Sequence, residues 1–246
     1  MSGGYFITGT DTGVGKTVVG LGLMRALKDR GRRVAAMKPV ASGCRERDGI
    51  LYNDDALRLQ AEGSVGLPYS TVNPYAFAPP IAPHLAAAEV GVWISIPRIV
   101  EEFRGVAAQV ETVIVEGVGG WRVPLDERET VADLAAALGL PVILVVAVRL
   151  GCLNHALLTV EGIHHSGVAL AGWVANRLEP ACSRAEADID TLRRRIPAPL
   201  LGILPRLARP DPAAGAAHLH PERLAAWVTS VFGCRPARGG ATSGNS

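Results

Sequence analysis

Residues 5–17 read YFITGTDTGVGKT, in which a short apolar run leads into a glycine-rich turn and a Gly-Lys-Thr triplet. A glycine-rich turn that enters a helix directs backbone N–H groups at one point, and the positive end of the helix dipole adds to their attraction for phosphate. Lys16 is then expected to reach the terminal phosphates of a nucleotide, and the Thr17 hydroxyl to bind Mg²⁺. The common pattern G-x-x-x-x-G-K-[ST] requires glycine at position 10, whereas this chain has Thr10 and places the glycine at Gly9. The stretch predicts a phosphate-binding loop one residue longer than usual.

The rest of the chain repeats this arrangement of a short apolar run, a polar turn and a segment with helical spacing. Runs of four to eight almost continuously apolar residues are typical of strands covered on both faces. Their alternation with helical segments predicts α/β architecture, with one doubly wound, mostly parallel sheet and helices on both faces, as in P-loop nucleotide hydrolases. The predicted strands span 5–8, 33–37, 112–115, 141–148, 170–175 and 199–204. The predicted helices span 16–30, 54–61, 95–110, 130–138, 154–165 and 183–195.

A single domain accounts for most of the chain. It is predicted to cover residues 1–232 and to end in a helix over 221–232. Residues 233–246 are rich in Gly, Ser and Pro, which predicts a disordered tail.

The composition indicates a globular protein and argues against several classes of partner. The 246 residues are 48% hydrophobic and carry a net charge of only +2, with the basic residues dispersed, so neither nucleic acid nor a membrane surface is an expected partner. The longest apolar run, 142–148, is far shorter than the ~20 residues of a membrane helix. The N-terminus lacks the pattern of a secretory signal, and the 4 cysteines form no C-x-x-C pair. A soluble, cytoplasmic protein is expected.

Polar residues stand where predicted strands end, which is the edge where parallel sheets bind ligands. Lys38 follows the second run, Glu116 the third and Asn176 the fifth. Glu116 is a candidate magnesium ligand, because Mg²⁺ is usually held by one or two carboxylates together with phosphate oxygens. Asp55 lies in the first turn of a helix capped by Asn53. Carboxylates there commonly serve only the helix dipole, so the pattern leaves a metal-binding role for Asp55 open.

Several segments, in the same order along the chain, resemble the dethiobiotin synthetase family. Besides the loop at 5–17 they are KPVASG at 38–43, NDDALRLQ at 53–60, TVNPYAFAPPIAPH at 71–84 and VEGVGGW at 115–121. Further matching segments lie at 141–159, 170–176 and 196–205. The resemblance covers roughly the first 210 residues.

The resemblance implies an ATP- and Mg²⁺-dependent ligase of biotin synthesis that closes a ureido ring on 7,8-diaminopelargonic acid with CO₂. One amine takes up CO₂ as a carbamate, and the carbamate attacks the γ-phosphate. The second amine then displaces phosphate from the carbamic–phosphoric anhydride, which gives dethiobiotin and ADP. A homodimer with the site near the interface is also implied.

Roles for individual residues follow from the same resemblance. The catalytic residues would be Lys38 and Lys16, and the magnesium ligands would be Thr17, Asp55 and Glu116. The nucleotide would contact Gly13, Val14, Gly15, Lys16, Thr17, Val18, Asp55, Glu116, Gly117, Val118, Gly119, Asn176, Arg177, Pro205, Arg206 and Leu207. The substrate would contact Thr12 and Ser42, together with Gly151 and Asn154 of the neighbouring subunit. Asn176 would read the adenine.

One position departs from the family pattern. Glutamate is frequent at position 13, where this chain has Gly13. The backbone of the loop can still bind phosphate, but any polar contact from that glutamate is absent, so base preference is left open.

Two alternative functions share the loop and the sheet. A cobyrinate-type amidoligase would need a glutamine amidotransferase domain, for which the segment after residue 210 is too short. An ATP-switched dimeric binding protein would carry a second loop lysine at position 11, where this chain has Asp11. Such a switch would hydrolyse ATP slowly without any diamine, whereas the synthetase would depend on it.

Overall fold

The computed structural model describes residues 3–178, 184–207 and 211–224. Its strands are β1 (Gly3–Gly9), β2 (Val34–Met37), β3 (Val40–Ala41), β4 (Arg45–Arg47), β5 (Ile50–Tyr52), β6 (Tyr75–Ala76), β7 (Thr112–Glu116), β8 (Val142–Ala147), β9 (Leu170–Asn176) and β10 (Leu200–Leu204). Its helices are α1 (Lys16–Lys28), α2 (Asp54–Glu62), α3 (Tyr69–Val72), α4 (Pro83–Glu89), α5 (Ile96–Ala107), α6 (Val131–Leu138), α7 (Cys152–His165), α8 (Ala185–Arg195) and α9 (Pro212–Ala216). Each predicted strand, and each predicted helix before residue 200, has a counterpart among them.

The main sheet has six strands in the order β10-β9-β8-β1-β7-β2. All of its neighbouring strands are parallel, so the predicted doubly wound sheet is confirmed and is wholly rather than mostly parallel. From β1 the chain passes to the edge strand β2 and returns to β7, which lies beside β1. It then continues on the other side of β1 through β8, β9 and β10. In sheets of this kind ligands bind beyond the carboxyl ends of the strands, at the point where the direction of winding changes. Here that point is the turn after β1.

Both faces of the sheet are covered, which explains the continuous apolar runs. Along β1, Phe6 packs into one hydrophobic cluster, which includes residues of α5, α6, α7 and α8, and Ile7 packs into a second cluster with α1. Trp121 and Trp173 are buried in the first cluster, as packing residues.

Local signals mark the helix ends that position the site. Asn53 caps α2 through Oδ1, which accepts hydrogen bonds from the backbone N–H groups of residues 55 and 56, and Ser95 caps α5. Gly31 has φ of 77°, a left-handed conformation that suits glycine, and follows the end of α1. The N-cap of α4 is Ala82, because Pro83 already occupies the first helical turn.

The segment between β2 and α5 contains elements that no sequence pattern predicts. β3 pairs with β6 in a short parallel sheet, and β4 with β5 in an antiparallel hairpin. Strands of two or three residues are too short to show a periodic pattern. Residues of this segment form one wall above the carboxyl end of the main sheet.

The predicted helix over 221–232 and tail over 233–246 fall almost entirely outside the described residues. Within the described ranges, no helix combines the length and apolarity needed to cross a membrane.

Candidate active site

A cleft of about 640 Å³ opens at the carboxyl edge of the sheet. It brings together residues that the sequence predicts to be functional: Thr12, Gly13, Gly15, Lys16, Thr17, Val18, Lys38, Ser42, Asp55, Glu116, Val118 and Gly119. Its remaining lining is formed by Asn53, Pro80, Ile81, Ala82, Pro83 and Val123. The four residues at 80–83 carry no charge and no side-chain hydrogen-bonding group, so sequence reasoning gave them no role. The two prolines of that stretch were the sequence feature that could have pointed to a wall of the cleft there.

Glycine is required sterically at two positions of the loop after β1. A Cβ atom on Gly9 would lie 2.4 Å from Val14 Cγ2, and one on Gly15 would lie 2.1 Å from Asn176 Nδ2. Gly15 also has φ of 95° and is the N-cap of α1. A Cβ atom on Gly13 would meet nothing within 4 Å, although its φ is 73°. The position where the family often has glutamate is therefore sterically open.

Asn176 links the end of β9 to this loop. Its Nδ2 donates a hydrogen bond of 2.8 Å to the carbonyl of Val14, and the side chain is only 4% exposed. The side-chain amide of Asn176 thus donates to the loop backbone and fixes the position of the loop. This role is independent of any contact with a base.

Lys16 lies inside the loop, where its Nζ donates to the carbonyls of Asp11 (2.9 Å) and Gly119 (2.7 Å). Burial is the main cause that lowers the pKa of Lys16 to about 8; the Glu116 carboxylate opposes the shift, and the Lys38 ammonium adds to it. Two carbonyl oxygens hold the ammonium group where it can reach a phosphate bound by the loop.

Glu116 is the central acid of the cleft, with 1% of its surface exposed. Its Oε1 accepts hydrogen bonds from Thr17 Oγ1 at 3.0 Å and from Lys38 Nζ at 2.5 Å. Its Oε2 is buried and has no hydrogen-bond partner among the residues that the structure describes. Burial of a carboxylate oxygen without a partner costs free energy, and a cation bound next to it would offset that cost.

Thr17, Glu116 and Asp55 therefore form a donor set that fits Mg²⁺. Two carboxylates and a hydroxyl leave coordination positions for water and phosphate oxygens, which Mg²⁺ characteristically keeps. Asn53 holds the first turn of α2 in place, since its Oδ1 accepts from the N–H of Asp55 at 3.1 Å and from that of Ala56 at 3.1 Å. The sequence pattern left the role of Asp55 open, and the structure shows that Asp55 lines the same cleft as Glu116.

Ser42 provides a second buried polar atom in the cleft. Its Oγ lies in the cleft wall and makes no hydrogen bond to any other part of the chain within residues 3–178, 184–207 and 211–224. A hydroxyl in that state is available to a ligand that brings a donor or an acceptor. This fits the substrate contact expected for Ser42.

The other predicted residues lie outside the lining of this cleft. The buried Val14 and Gly117 shape the turns around it, and a Cβ atom on Gly117 would come within 3.0 Å of the Phe6 ring. Arg177 forms an ion pair with Glu186, just beyond β9. The remaining predicted residues follow β10 (Pro205, Arg206, Leu207) or begin α7 (Gly151, Asn154). Their roles stay predictions.

Comparisons with known proteins agree with this geometry. Residues 3–214 match a family model described as an AAA domain. The chain is 56% identical over 216 residues to the ATP-dependent dethiobiotin synthetase BioD of Pseudomonas paraeruginosa, which covers 87% of this chain and 95% of that protein. It is 53% identical over 215 residues to the protein of the same name from Aromatoleum aromaticum, with 87% and 96% covered.

Solved structures with the same fold include two archaeal proteins. The cell division ATPase MinD of Pyrococcus furiosus superposes with a TM-score of 0.57 at 18% identity, over 94% of this chain and 100% of that one. The septum site-determining protein MinD of Pyrococcus horikoshii, complexed with Mg-ADP, gives 0.59 at 16% identity, over 96% and 100%. At these identities the likeness shows the fold alone.

Proposed function

The chain belongs to the ATP-dependent dethiobiotin synthetase family, and from this membership we propose that it converts 7,8-diaminopelargonic acid, CO₂ and ATP into dethiobiotin, ADP and phosphate. The observation that carries the proposal is the cleft in which a phosphate-binding loop, two lysines and two carboxylates meet. A cytoplasmic location is part of the proposal, because ATP is the phosphoryl donor.

The reaction asks the protein for positioning and charge neutralisation rather than for a covalent nucleophile. One amine of the substrate attacks CO₂ and loses a proton, which gives a carbamate. A carbamate oxygen attacks the γ-phosphorus, and ADP leaves. The second amine then attacks the carbonyl carbon of the anhydride and loses a proton, phosphate departs with the bonding electrons, and the ureido ring is closed.

Two lysines meet the negative charge of this sequence from different elements. Lys16 would bind the β- and γ-phosphates from within the loop, and Lys38 would face the carbamate and the transferring phosphoryl group. The buried position of Lys38, 6% exposed, supports this role, because an ammonium group stabilises developing charge more strongly where water is excluded.

We further propose that Thr17, Asp55 and Glu116 hold Mg²⁺, which supplies positive charge to the phosphate oxygens when bound. The unpartnered Oε2 of Glu116 supports this assignment. Ser42 and Thr12 would orient the diamine at the loop side of the cleft.

The base of the nucleotide is proposed to lie beyond β9 and β10. These strands are neighbours, and the backbone N–H of Arg177 donates to the carbonyl of Leu204 at 2.9 Å, so Asn176, Arg177 and the segment 205–207 adjoin one another. The bond from Asn176 to Val14 joins this region to the phosphate loop.

A homodimer is proposed in which Gly151 and Asn154 of one subunit reach the substrate of the other. The adjoining Leu150 is 100% exposed in the single chain, and Leu158 on α7 is 58% exposed. Large apolar side chains so exposed are typical of surfaces that another chain covers. The N-terminus of α7 would suit the carboxylate of the diamine.

The test is mass spectrometry of the purified protein incubated with 7,8-diaminopelargonic acid, bicarbonate, Mg²⁺ and ATP. Dethiobiotin formed in step with ADP is the expected result. ATP consumption without that product would retain the nucleotide site but exclude this substrate. No ATP consumption, with or without the diamine, would contradict the proposal altogether.

A further inference from the structure

A chain of buried and half-buried hydrogen bonds joins two elements of the cleft from behind its lining. Tyr69 Oη accepts a hydrogen bond of 2.7 Å from the backbone N–H of Asn53 and donates one of 2.9 Å to Asn73 Oδ1. The Asn73 side chain extends this series of hydrogen bonds, because its Nδ2 donates to the carbonyl of Lys38 at 2.7 Å and to that of Tyr75 at 3.2 Å. One hydroxyl and one amide thus connect the N-cap of α2 to Lys38.

The direction of these bonds is set by chemistry. If the Asn73 amide were turned over, its oxygen would face two carbonyl oxygens, of Lys38 and Tyr75, and its N–H₂ would face the Tyr69 hydroxyl. Only the observed orientation gives each carbonyl a donor. Asn73 is 3% exposed, so water cannot substitute for these partners at low cost.

The two ends of the chain of bonds are parts of the site. Asn53 caps the helix that presents Asp55, and the peptide of Lys38 is held on both sides. Its N–H donates to the carbonyl of Val72 at 2.8 Å, and its C=O accepts from Asn73. The residue after Lys38 is Pro39, which has no N–H and a restricted φ. The backbone under the Lys38 side chain is therefore fixed by residues 72 and 73.

Neither Tyr69 nor Asn73 belongs to the lining of the cleft. They are not placed to touch substrate or nucleotide, and any influence on the reaction passes through Lys38 and α2. The phosphate loop, in contrast, is held by separate bonds to Gly119 and Asn176.

We propose that Tyr69 and Asn73 are positioning residues for ring closure. They fix the position of Lys38 relative to the N-terminus of α2, which carries Asp55. This inference rests on the proposed function. A displacement of about 1 Å in a reacting group can slow an enzymatic reaction by about a hundredfold. Loss of the link is therefore expected to reduce turnover more than ATP affinity.

Tyr69→Phe is the decisive variant, because it removes the hydroxyl and keeps the ring that packs on Tyr52 with centroids 4.7 Å apart. We expect kcat for dethiobiotin formation to fall by about tenfold, with KM for ATP unchanged within about twofold. Tyr52→Phe is the matched control, since it removes a hydroxyl from the other ring of the pair, outside this chain of bonds, and is expected to retain the wild-type kcat.

A double-mutant cycle tests whether the two side chains act as one connection. Asn73→Ala alone is expected to lower kcat at least as much as Tyr69→Phe, and the double variant no further than Asn73→Ala, because the chain of bonds is already broken. Multiplied effects in the double variant would contradict a single connection. If Asn73→Ala does not fold, the comparison of Tyr69→Phe with Tyr52→Phe still decides.

The outcomes separate this inference from the proposed function. Equal kcat values for Tyr69→Phe and Tyr52→Phe, beside an active wild type, would overturn the positioning role alone. So would a lower melting temperature of Tyr69→Phe without a change in kcat. A wild-type protein that makes no dethiobiotin would overturn the proposed function, and this inference with it.

Discussion

Lys38 Nζ lies 2.5 Å from Glu116 Oε1 in a buried ion pair. Lys38 directly follows β2, and Glu116 is the last residue of the neighbouring strand β7. Thr17 Oγ1 donates to the same oxygen. One carboxylate oxygen thus accepts two hydrogen bonds, while the other, Oε2, has no partner in the described part of the chain. A cation bound at Oε2 would compete with Lys38 for the charge of Glu116 and favour an ammonium group that turns toward the phosphates.

Replacement of Lys38 by alanine tests its role in turnover. Lys38→Ala is expected to lower dethiobiotin formation by about 10²–10³-fold, the usual loss when a group that stabilises transition-state charge is removed. ATP affinity should be largely retained, because Lys16 and the loop backbone remain. Steady-state kinetics and calorimetric ATP titration measure the two effects. Lys28→Ala, which removes a lysine paired with Glu62 away from the cleft, is the control. Full turnover by Lys38→Ala would exclude the residue from the mechanism.

Glu116→Gln tests the metal assignment. We expect the Mg²⁺ concentration for half-maximal activity to rise at least about tenfold, because the amide lacks the negative charge that holds the ion. Binding of ADP should lose its dependence on Mg²⁺ to a similar degree, and calorimetry measures this without turnover. Glu62→Gln serves as the control for a carboxylate outside the cleft. A magnesium titration identical to that of the wild type would contradict the assignment.

Two glycine variants compare sterically open and closed positions in one loop. Gly13→Ala is expected to destabilise the protein by about 1 kcal/mol, the usual cost of a non-glycine residue in the left-handed region. Gly15→Ala should cost ~1–3 kcal/mol more and abolish nucleotide binding, because its Cβ would displace Asn176 from the carbonyl of Val14. Thermal unfolding with and without ADP measures both. Equal behaviour of the two variants would contradict the loop geometry.

The pKa of Lys16, about 8, predicts a pH dependence of nucleotide binding. Phosphate binds the protonated amine, so the complex has a higher pKa than the free protein and binding takes up protons where free Lys16 is partly neutral. ADP binding in EDTA should take up about half a proton at pH 8, where the terminal phosphate of ADP is already ionised, and should weaken as pH rises above 8. Calorimetry in buffers of different ionisation enthalpy measures this uptake. Lys16→Arg, which stays charged, should show none, and equal uptake in both proteins would rule out Lys16 as the source.

Leu150→Glu tests the proposed dimer. A charge at a fully exposed leucine next to Gly151 should cost a single chain little, but would be buried without a partner in an interface. We expect sedimentation velocity to show a shift toward monomer and product formation to fall with it. Gln109→Glu is the control, because it places the same charge at an exposed position just after α5. It should change neither the sedimentation behaviour nor product formation. Full turnover by a monomeric variant would contradict a site shared between subunits.

Much of the site could be predicted from residues at strand ends. Lys38, Glu116 and the loop up to Thr17 stand directly after apolar runs, and in a parallel sheet those positions share one edge. The cap at Asn53 was equally visible, because a side-chain oxygen before a helical segment has a local purpose. These predictions depend on short stretches of sequence and on the geometry of one kind of sheet.

The rest depended on contacts between distant segments. Tyr69 and Asn73 bond mainly to backbone atoms, which leave no trace in the sequence, and their partners meet only when residues 72–76 pack beside β2 and β3. The uncharged cleft wall at 80–83 was missed for a similar reason.

The central position of β1 has a consequence for how the chain is made. β1 is synthesised before the other strands, but its partners β7 and β8 begin only at Thr112 and Val142. Ribosomes add about 5–20 residues per second, so the first strand waits on the order of 10 s for its first neighbour. During that time its apolar side chains lack the sheet that later buries them. The nascent chain is thus most prone to aggregation and most accessible to chaperones before residue 147 has left the ribosome.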